Sequence, residues 1–141
     1  MPASARDTAL VVARIVLGVV LIAHGAQKFF TNGIDGTATG FASMEIPLPT
    51  LSAFVAATIE LVGGALLILG LATAIAGLLV VLNMLMAALL VHVGNGIFVT
   101  DGGWELVGVI AALALTLAAV GPGRFSVDHA VSARRRPLHS H

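Results

Sequence analysis

Four long apolar segments, almost free of charge, constrain this chain more than any other feature of its sequence. They cover residues 9–30, 51–71, 73–93 and 104–121. A helix of about 20 apolar residues crosses the roughly 30 Å hydrocarbon layer of a membrane, and each segment is close to that length. The chain is 58% hydrophobic and only 10% charged, whereas about a quarter of the residues in soluble domains are charged. The sequence therefore predicts an all-α integral membrane four-helix bundle.

The rest of the sequence divides the chain into three parts. Residues 1–8 form a short N-terminal segment, residues 9–128 hold the transmembrane domain, and residues 129–141 form a basic tail that we expect to be disordered. Between the first two spans, Asn-Gly, Asp-Gly and Pro-Leu-Pro sequences predict a loop of about 20 residues. Residues 94–103 are rich in glycine and predict a second loop on the same side.

Positive charge is concentrated on one predicted side of the membrane. Arg6 and Arg14 flank the start of the first span, and Arg124 and residues 134–136 follow the last. Cytoplasmic segments of membrane proteins carry an excess of Lys and Arg, so we expect both termini to be cytoplasmic in the inner (plasma) membrane. Arg14 and Arg124 would then contact lipid headgroups on that side, which favours anchoring over catalysis for Arg14.

The charge balance and the lack of cysteine exclude several classes of function. Seven basic and seven acidic residues give a net charge of zero, without the basic surface that nucleic-acid binding requires. With no cysteine there is no disulfide, thiolate metal site or dithiol relay. Electrons in any redox reaction would travel on a bound molecule, so catalysis by this chain alone is not expected. The expected partners are membrane lipids and either other membrane subunits or further copies of the chain.

The two halves of the chain show short similarities. Leu21 to Gly25 followed by Asp35-Gly36 resembles Leu90 to Gly94 followed by Asp101-Gly102, and Glu-Leu-Val-Gly occurs at residues 60–63 and again at 105–108. The pattern favours two parallel two-helix repeats related by an axis along the membrane normal. The alternative is chance matching, because the spans are built from few residue types.

Polar side chains inside the spans are the candidate ligand-binding or proton-relay residues. An ionisable group at the centre of a bilayer is unfavourable by roughly 2.5–3.5 kcal/mol, so it normally faces the bundle interior. The candidates at such positions are His24, Gln27, Lys28, Glu60, Asn83, His92 and Glu105.

Glu60 is the only acidic residue near the centre of a predicted span. His24 and Lys28 share one face of the first helix, four residues apart, and we expect them to join Glu60 in one hydrogen-bonded network. The network has two interpretations, a ligand site or a purely structural element that fixes helix register. An interhelical hydrogen bond would explain Asn83 equally well. Met84 and Met86 favour core or lipid-facing positions over a ligand site.

A metal site is the further alternative for these side chains. Its ligands would be His24, Glu60, His92 and Glu105, since imidazole and carboxylate groups from facing helices hold metals in bundle cores. The Glu-x-x-His motif of di-iron bundles is missing, so we predict no metal and no covalently bound cofactor.

Three sequence segments resemble a known family. They are Ala13-Arg14-Ile15-Val16-Leu17-Gly18 leading into Ala23-His24-Gly25-Ala26-Gln27-Lys28-Phe29-Phe30, then Glu60-Leu61-Val62-Gly63-Gly64, and finally Gly121-Pro122-Gly123-Arg124-Phe125-Ser126-Val127-Asp128. The chain resembles DoxX family membrane proteins from about Arg14 to Asp128. The resemblance implies a four-helix membrane bundle and an association with thiosulfate:quinone oxidoreductase or with oxidative-stress complexes. It carries no catalytic mechanism with it.

Three functions are compatible with these observations. The first is a small subunit of a respiratory or redox complex that contacts a quinone through the His24, Lys28 and Glu60 cluster. The second is a non-catalytic scaffold or assembly subunit of a membrane complex. The third is a small-molecule or lipid carrier, because transport sites often form at repeat interfaces.

Overall fold

The described part of the chain is built from six α-helices and short helical turns. The computed structural model describes residues 1–136, and these residues contain no β-strand. The helices are α1 (Ala3–Ala26), α2 (Gly33–Ser43), α3 (Pro49–Leu69), α4 (Thr73–Ala87), α5 (Glu105–Val120) and α6 (Val127–Arg135). Two π-helical turns, Gln27–Thr31 and Ala88–His92, continue α1 and α4, and 3₁₀ turns cover Val93–Asn95 and Val99–Asp101.

Three helical segments are long and apolar enough to cross a membrane. They are Ala3–Thr31, Pro49–Leu69 and Thr73–Asn95, where the first and third include the turns that continue α1 and α4. The apolar α5 has 16 residues, about 24 Å at 1.5 Å per residue, and is therefore shorter than a typical span. The all-helical prediction is confirmed, with three helices of spanning length.

The long helices form two antiparallel hairpins, α1 with α3 and α4 with α5. Glycine allows close approach in both. A Cβ atom on Gly64 of α3 would lie 2.7 Å from the carbonyl oxygen of Gly18 in α1, and one on Gly77 of α4 would lie 2.9 Å from the carbonyl oxygen of Ala114 in α5. Small residues at helix contacts let backbones pack closely in membranes. The two-helix repeats stay a prediction.

Arg14 holds one end of the bundle together. Arg14 is only 2% exposed. Its Nε donates to the carbonyl oxygen of Leu67 and its Nη2 to that of Ile68, each at 3.0 Å. Its Nη1 donates to Pro122 (2.7 Å) and Phe125 (3.0 Å). The carbonyls of the last turn of a helix have no N–H in a following turn, so Arg14 caps α3 together with the Gly70 N–H, which donates to the Leu67 oxygen at 3.2 Å. The predicted headgroup contact of Arg14 is wrong, because the guanidinium is buried among carbonyl groups.

Two aspartates complete this end of the bundle. Asp7 accepts hydrogen bonds from the backbone N–H of Arg124 (3.1 Å) and from its Nε (2.8 Å). Asp128 accepts from the N–H groups of Ala72 (2.8 Å) and Thr73 (3.0 Å), and so caps the start of α4. We call Asp7, Arg14 and residues 121–128 the terminal clasp. It places both ends of the transmembrane region at one end of the bundle. The Arg124 side chain is 58% exposed, and its headgroup contact stays a prediction.

The pKa of the Asp128 carboxyl is lowered by its surroundings. Burial raises its pKa, but the hydrogen bonds from the N–H groups of Thr73 and Ala72 lower it by more. The net effect places the pKa of Asp128 below its usual range.

Two segments expected to lack regular structure are helical. The predicted first loop contains α2, whose Thr37 hydroxyl donates to the carbonyl oxygen of Lys28 at 3.1 Å. The tail expected to be disordered from residue 129 begins inside α6, where the N-cap hydroxyl of Ser126 accepts from the N–H of His129 at 3.2 Å. The prediction of disorder is wrong for residues 129–135, and its part at residues 137–141 lies outside the described residues.

Candidate functional site

A cavity of about 540 Å³ separates the two hairpins at the end opposite the terminal clasp. Both hairpins contribute to its wall, which is mostly apolar and includes Leu21, Val55, Met84, Leu90, Val107 and Ile110. Set into this wall are the polar residues His24, Lys28, Ser52, Glu60, Asn83 and His92. Sequence reasoning had singled out five of these six as candidates, and the fold brings all five to one cavity.

Lys28 and Glu60 form an ion pair in the cavity wall. The Lys28 Nζ donates to Glu60 Oε1 at 3.1 Å and to Oε2 at 2.8 Å. Their side chains are 18% and 6% exposed. The predicted contact between these residues is confirmed. Because both carboxylate oxygens are bonded to the same ammonium group, the pair has no net charge and fits an apolar wall.

Both cavity histidines are bonded to backbone carbonyls through Nδ1. His24 Nδ1 lies 2.7 Å from the Val20 oxygen, one turn earlier in α1, and His92 Nδ1 lies 2.7 Å from the Gly102 oxygen. Neither ring hydrogen-bonds to Lys28 or Glu60 within the described chain, so the predicted three-residue network is correct only for Lys28 and Glu60. His24 instead faces the same cavity as the pair.

The two π-helical turns carry polar groups of the site. Lys28 lies in the turn Gln27–Thr31, and His92 lies in the turn Ala88–His92. A π turn inserts an extra residue into a helix and rotates the following side chains, and such turns are frequent at functional sites. Here they occur where α1 and α4 reach the cavity, at the same end of the two hairpins.

The segment after α1 closes part of the cavity. Phe41, Met44 and Ile46, from the end of α2 and the residues after it, line the cavity, as do Val99 and Gly103 from the loop before α5. Sequence reasoning missed the first three because the glycine-rich sequence indicated a loop. It placed Met84 and Met86 in the core or facing lipid, and Met84 is indeed in the hydrophobic core while Met86 is exposed; both also border the cavity.

Two candidates lie outside the cavity lining. Gln27 is exposed in the first π turn. Glu105 accepts a hydrogen bond from the N–H of Val99 at 3.0 Å and so holds the loop before α5. Among residues 1–136, no group of three or more His, Asp or Glu side chains is arranged to hold a metal ion. The proposed four-ligand set is therefore not assembled in this part of the chain.

Sequence reasoning also missed the partners of Arg14. Its acceptors lie between 53 and 111 residues away along the chain, so local patterns give no sign of them. The only signal in the sequence was that Arg14 and residues 121–128 both belong to the segments that resemble the DoxX family. The structure shows that the two are halves of one clasp.

Comparison with known proteins agrees with this architecture. The family model for DoxX matches residues 9–93. "Inner membrane protein YphA" of Escherichia coli (strain K12) is 31% identical over 134 residues, covering 89% of this chain and 91% of that protein. "Putative oxidoreductase CatD" of Bacillus subtilis (strain 168) is 42% identical over 78 residues, or 55% of each chain. No solved structure matches. Residues 9–93 contain most of α1, all of α2 to α4 and every polar cavity residue. The chain belongs to the DoxX family of membrane proteins.

Proposed function

We propose that this protein is a small subunit of a membrane redox complex and that its cavity binds the headgroup of a quinone. The observation that carries the proposal is the buried Lys28–Glu60 pair in the wall of the apolar cavity. Small-molecule sites are typically mostly apolar, roughly 300–1,000 Å³ in volume, with a few polar groups that orient the ligand. The cavity has these properties.

The ligand class follows from where the cavity lies. Its wall comes from helices apolar enough to sit in a membrane, so an amphipathic molecule dissolved in the bilayer is the natural occupant. A quinone has a compact polar ring and an apolar tail, which suit the polar cluster and the apolar wall. One relative bears the name of an oxidoreductase, which supports redox chemistry in the family.

The electrons would be carried by the quinone and by a partner subunit. The chain has no cysteine with which to store them as a thiol pair. The quinone is held without a covalent bond, and Glu60 and Lys28 provide a proton-exchanging pair beside it.

We further propose a four-span topology in the inner membrane with both termini in the cytoplasm. All six arginines lie at residues 6–14 or 124–136, next to the terminal clasp, whereas Lys28 is the only Lys or Arg in the opposite half of the bundle. This asymmetry follows the positive-inside rule. A short fourth span, α5, is accommodated by local thinning of the bilayer at small free-energy cost.

A cavity-filling substitution tests the proposal. Ala56 lines the cavity from α3, while Ala65 on the same helix is exposed on the outer surface. We expect wild-type protein purified in mild detergent to contain quinone, measured after solvent extraction, and Ala56→Leu to lose most of it. Ala65→Leu should retain it. Quinone absent from the wild type would contradict the proposal and favour a scaffold, and a different extracted lipid would favour a carrier.

The ion pair is tested by removing both charges together. Lys28→Met combined with Glu60→Gln leaves no unpaired charge in the wall, so the bundle should assemble in normal amounts. If the pair exchanges protons with the ligand, quinone-linked turnover of the membrane complex should fall by at least about tenfold. Full turnover in the assembled double variant would show that the pair serves only packing.

A further inference from the structure

The tautomers of the two cavity histidines indicate which redox form of the ligand the site prefers. A carbonyl oxygen can only accept a hydrogen bond. The Nδ1 atoms of His24 and His92, each 2.7 Å from such an oxygen, must therefore carry the proton. In a neutral imidazole the second nitrogen, Nε2, is then an acceptor with a free lone pair.

Both Nε2 atoms are available to a ligand. None of the hydrogen bonds within residues 1–136 uses either of them. They are not among the buried unpaired polar atoms of this part of the chain, where only Thr73 Oγ1 is found. Since His24 and His92 both line the cavity, one from each hairpin, their Nε2 atoms are the candidate acceptors for a ligand bound there.

The donors of the cavity are partly used within the wall. Lys28 is the only cationic side chain in the described lining, and two of its three N–H groups bond to Glu60, which leaves one for a ligand. Asn83 adds an amide that can either donate or accept. A quinone carbonyl cannot bond to a neutral Nε2 lone pair, because both are acceptors. A hydroquinone hydroxyl can donate to it.

We propose that the cavity binds the reduced, hydroxyl-bearing form of a quinone in preference to the oxidised form, with His24 and His92 Nε2 as its acceptors. This inference rests on the proposed function and adds to it the redox form that is bound. It concerns binding alone. The two forms differ by two electrons and two protons, whose transfer belongs to the partner subunit.

Paired titrations test the preference. The probes are a decyl-substituted benzoquinone and its hydroquinone, titrated under anaerobic conditions at pH 8 into purified protein, with partitioning into empty micelles subtracted. One neutral hydrogen bond corresponds to roughly two- to twelvefold in Kd. Two acceptors should therefore favour the hydroquinone by roughly fourfold to a hundredfold. Equal affinities, or tighter quinone binding, would overturn the inference and leave the proposed function standing. If neither probe binds, both fail.

Substitution of the histidines locates the effect. His24→Phe and His92→Phe keep an aromatic ring and remove the acceptor, so each should weaken hydroquinone binding about three- to tenfold and change quinone binding less than about twofold. His129→Phe in α6 is the control, since His129 lies at the other end of the bundle and should leave both affinities unchanged. Equal losses for the two probes in the cavity variants would contradict the assignment.

A ligand-free measurement checks the tautomer itself. In protein labelled with ¹⁵N-histidine, the ring nitrogen shifts of His24 and His92, identified by comparison with the two Phe variants, should report a protonated Nδ1 and an unprotonated Nε2. The opposite tautomer in both rings would overturn the inference whatever the titrations show.

Discussion

At the scale of single residues, the buried charges in this protein are stable because nearby groups satisfy them. Glu60 has its carboxylate bonded twice by Lys28, and Arg14 has all three guanidinium nitrogens bonded to carbonyl oxygens. The two arrangements differ in what surrounds them. The Lys28–Glu60 pair faces a cavity, where a ligand can reach it, whereas Arg14 is enclosed by backbone and has a structural role.

The first prediction concerns Arg14. Arg14→Lys keeps the charge but loses the planar fork that reaches α3 and the 122–125 segment together, leaving carbonyls unbonded. We expect the free energy of unfolding to fall by about 2 kcal/mol or more. The decrease should appear as faster thermal loss of the monodisperse peak on gel filtration. Arg6→Lys, at an exposed position of the same helix, is the control. Equal stability of the two variants would contradict the clasp.

The second prediction concerns the pH dependence of the Asp128 cap. The folded pKa of Asp128 is lowered, so its carboxylate contributes stability above its unfolded pKa of about 3.9 and loses it as pH falls through the folded value. We expect Asp128→Asn to lower stability at neutral pH by about 1 kcal/mol. The difference from wild type should shrink below about pH 4.

Thermal unfolding at several pH values measures this difference. The exposed Asp101 has no side-chain hydrogen bond within the described chain, and Asp101→Asn should change stability by less than about 0.5 kcal/mol throughout. A difference between Asp128→Asn and wild type that grew as the pH fell would refute the cap.

At this scale the sequence predicted a contact correctly where a charged residue would be unfavourable in a membrane without a nearby partner. An acid at the middle of a span needs a cation, and Lys28 was the nearest one on a facing helix. It failed for Arg14, where the position near a span end suggested solvated headgroups. The carbonyls that bind Arg14 become neighbours only once α3 and the segment after α5 have packed around α1.

At the scale of elements, the close contact of α1 and α3 depends on glycine. The Gly64 backbone lies against the Gly18 carbonyl and Ile22, and a methyl group on Gly64 would be 2.9 Å from Ile22 Cγ1. Short helices are the elements that sequence reasoning missed. Their lengths of 11 residues (α2) and 9 residues (α6) give little periodicity. α2 is held by packing on α3, and α6 is joined to the start of α4 by Asp128.

The third prediction uses this contact. We expect Gly64→Ala to separate α1 from α3 and to lower the free energy of unfolding by about 1–3 kcal/mol. Gly40 in α2 has open space around the corresponding position, so Gly40→Ala should be neutral or stabilising by up to about 1 kcal/mol. The stabilities of the two variants are compared by thermal unfolding in the same detergent. If Gly64→Ala is as stable as Gly40→Ala, the helices do not require the close approach.

At the scale of the whole molecule, the two ends of the bundle differ in construction. The terminal clasp joins both hairpins at one end, and the cavity separates them at the other. Sequence reasoning predicted the helical class, the long helices and five cavity residues, because hydrophobic length and buried charge are visible locally. It did not reveal the cavity or the clasp, because both are made by residues brought together from both hairpins.

The fourth prediction tests the orientation of the bundle. The chain has no cysteine, so a single cysteine reports its own position. Ser43, at the end of α2, and Ser132, in α6, are both exposed and lie at opposite ends of the bundle. We expect Ser43→Cys to react with a membrane-impermeant maleimide in spheroplasts, and Ser132→Cys to react only after lysis. Reaction of Ser132→Cys in sealed spheroplasts would refute the cytoplasmic location of this end.

The terminal clasp also sets an order of events during synthesis. Arg14 leaves the ribosome early, but its acceptors on Pro122 and Phe125 are made 108 and 111 residues later. At translation rates of about 5–20 residues per second, this delay lasts roughly 5–20 s. During the first half of that interval Arg14 has none of its partners, and during the second half it has only Leu67 and Ile68. The clasp end of the nascent bundle therefore stays open until residues 122–125 emerge, and a chain that ends before them lacks the clasp.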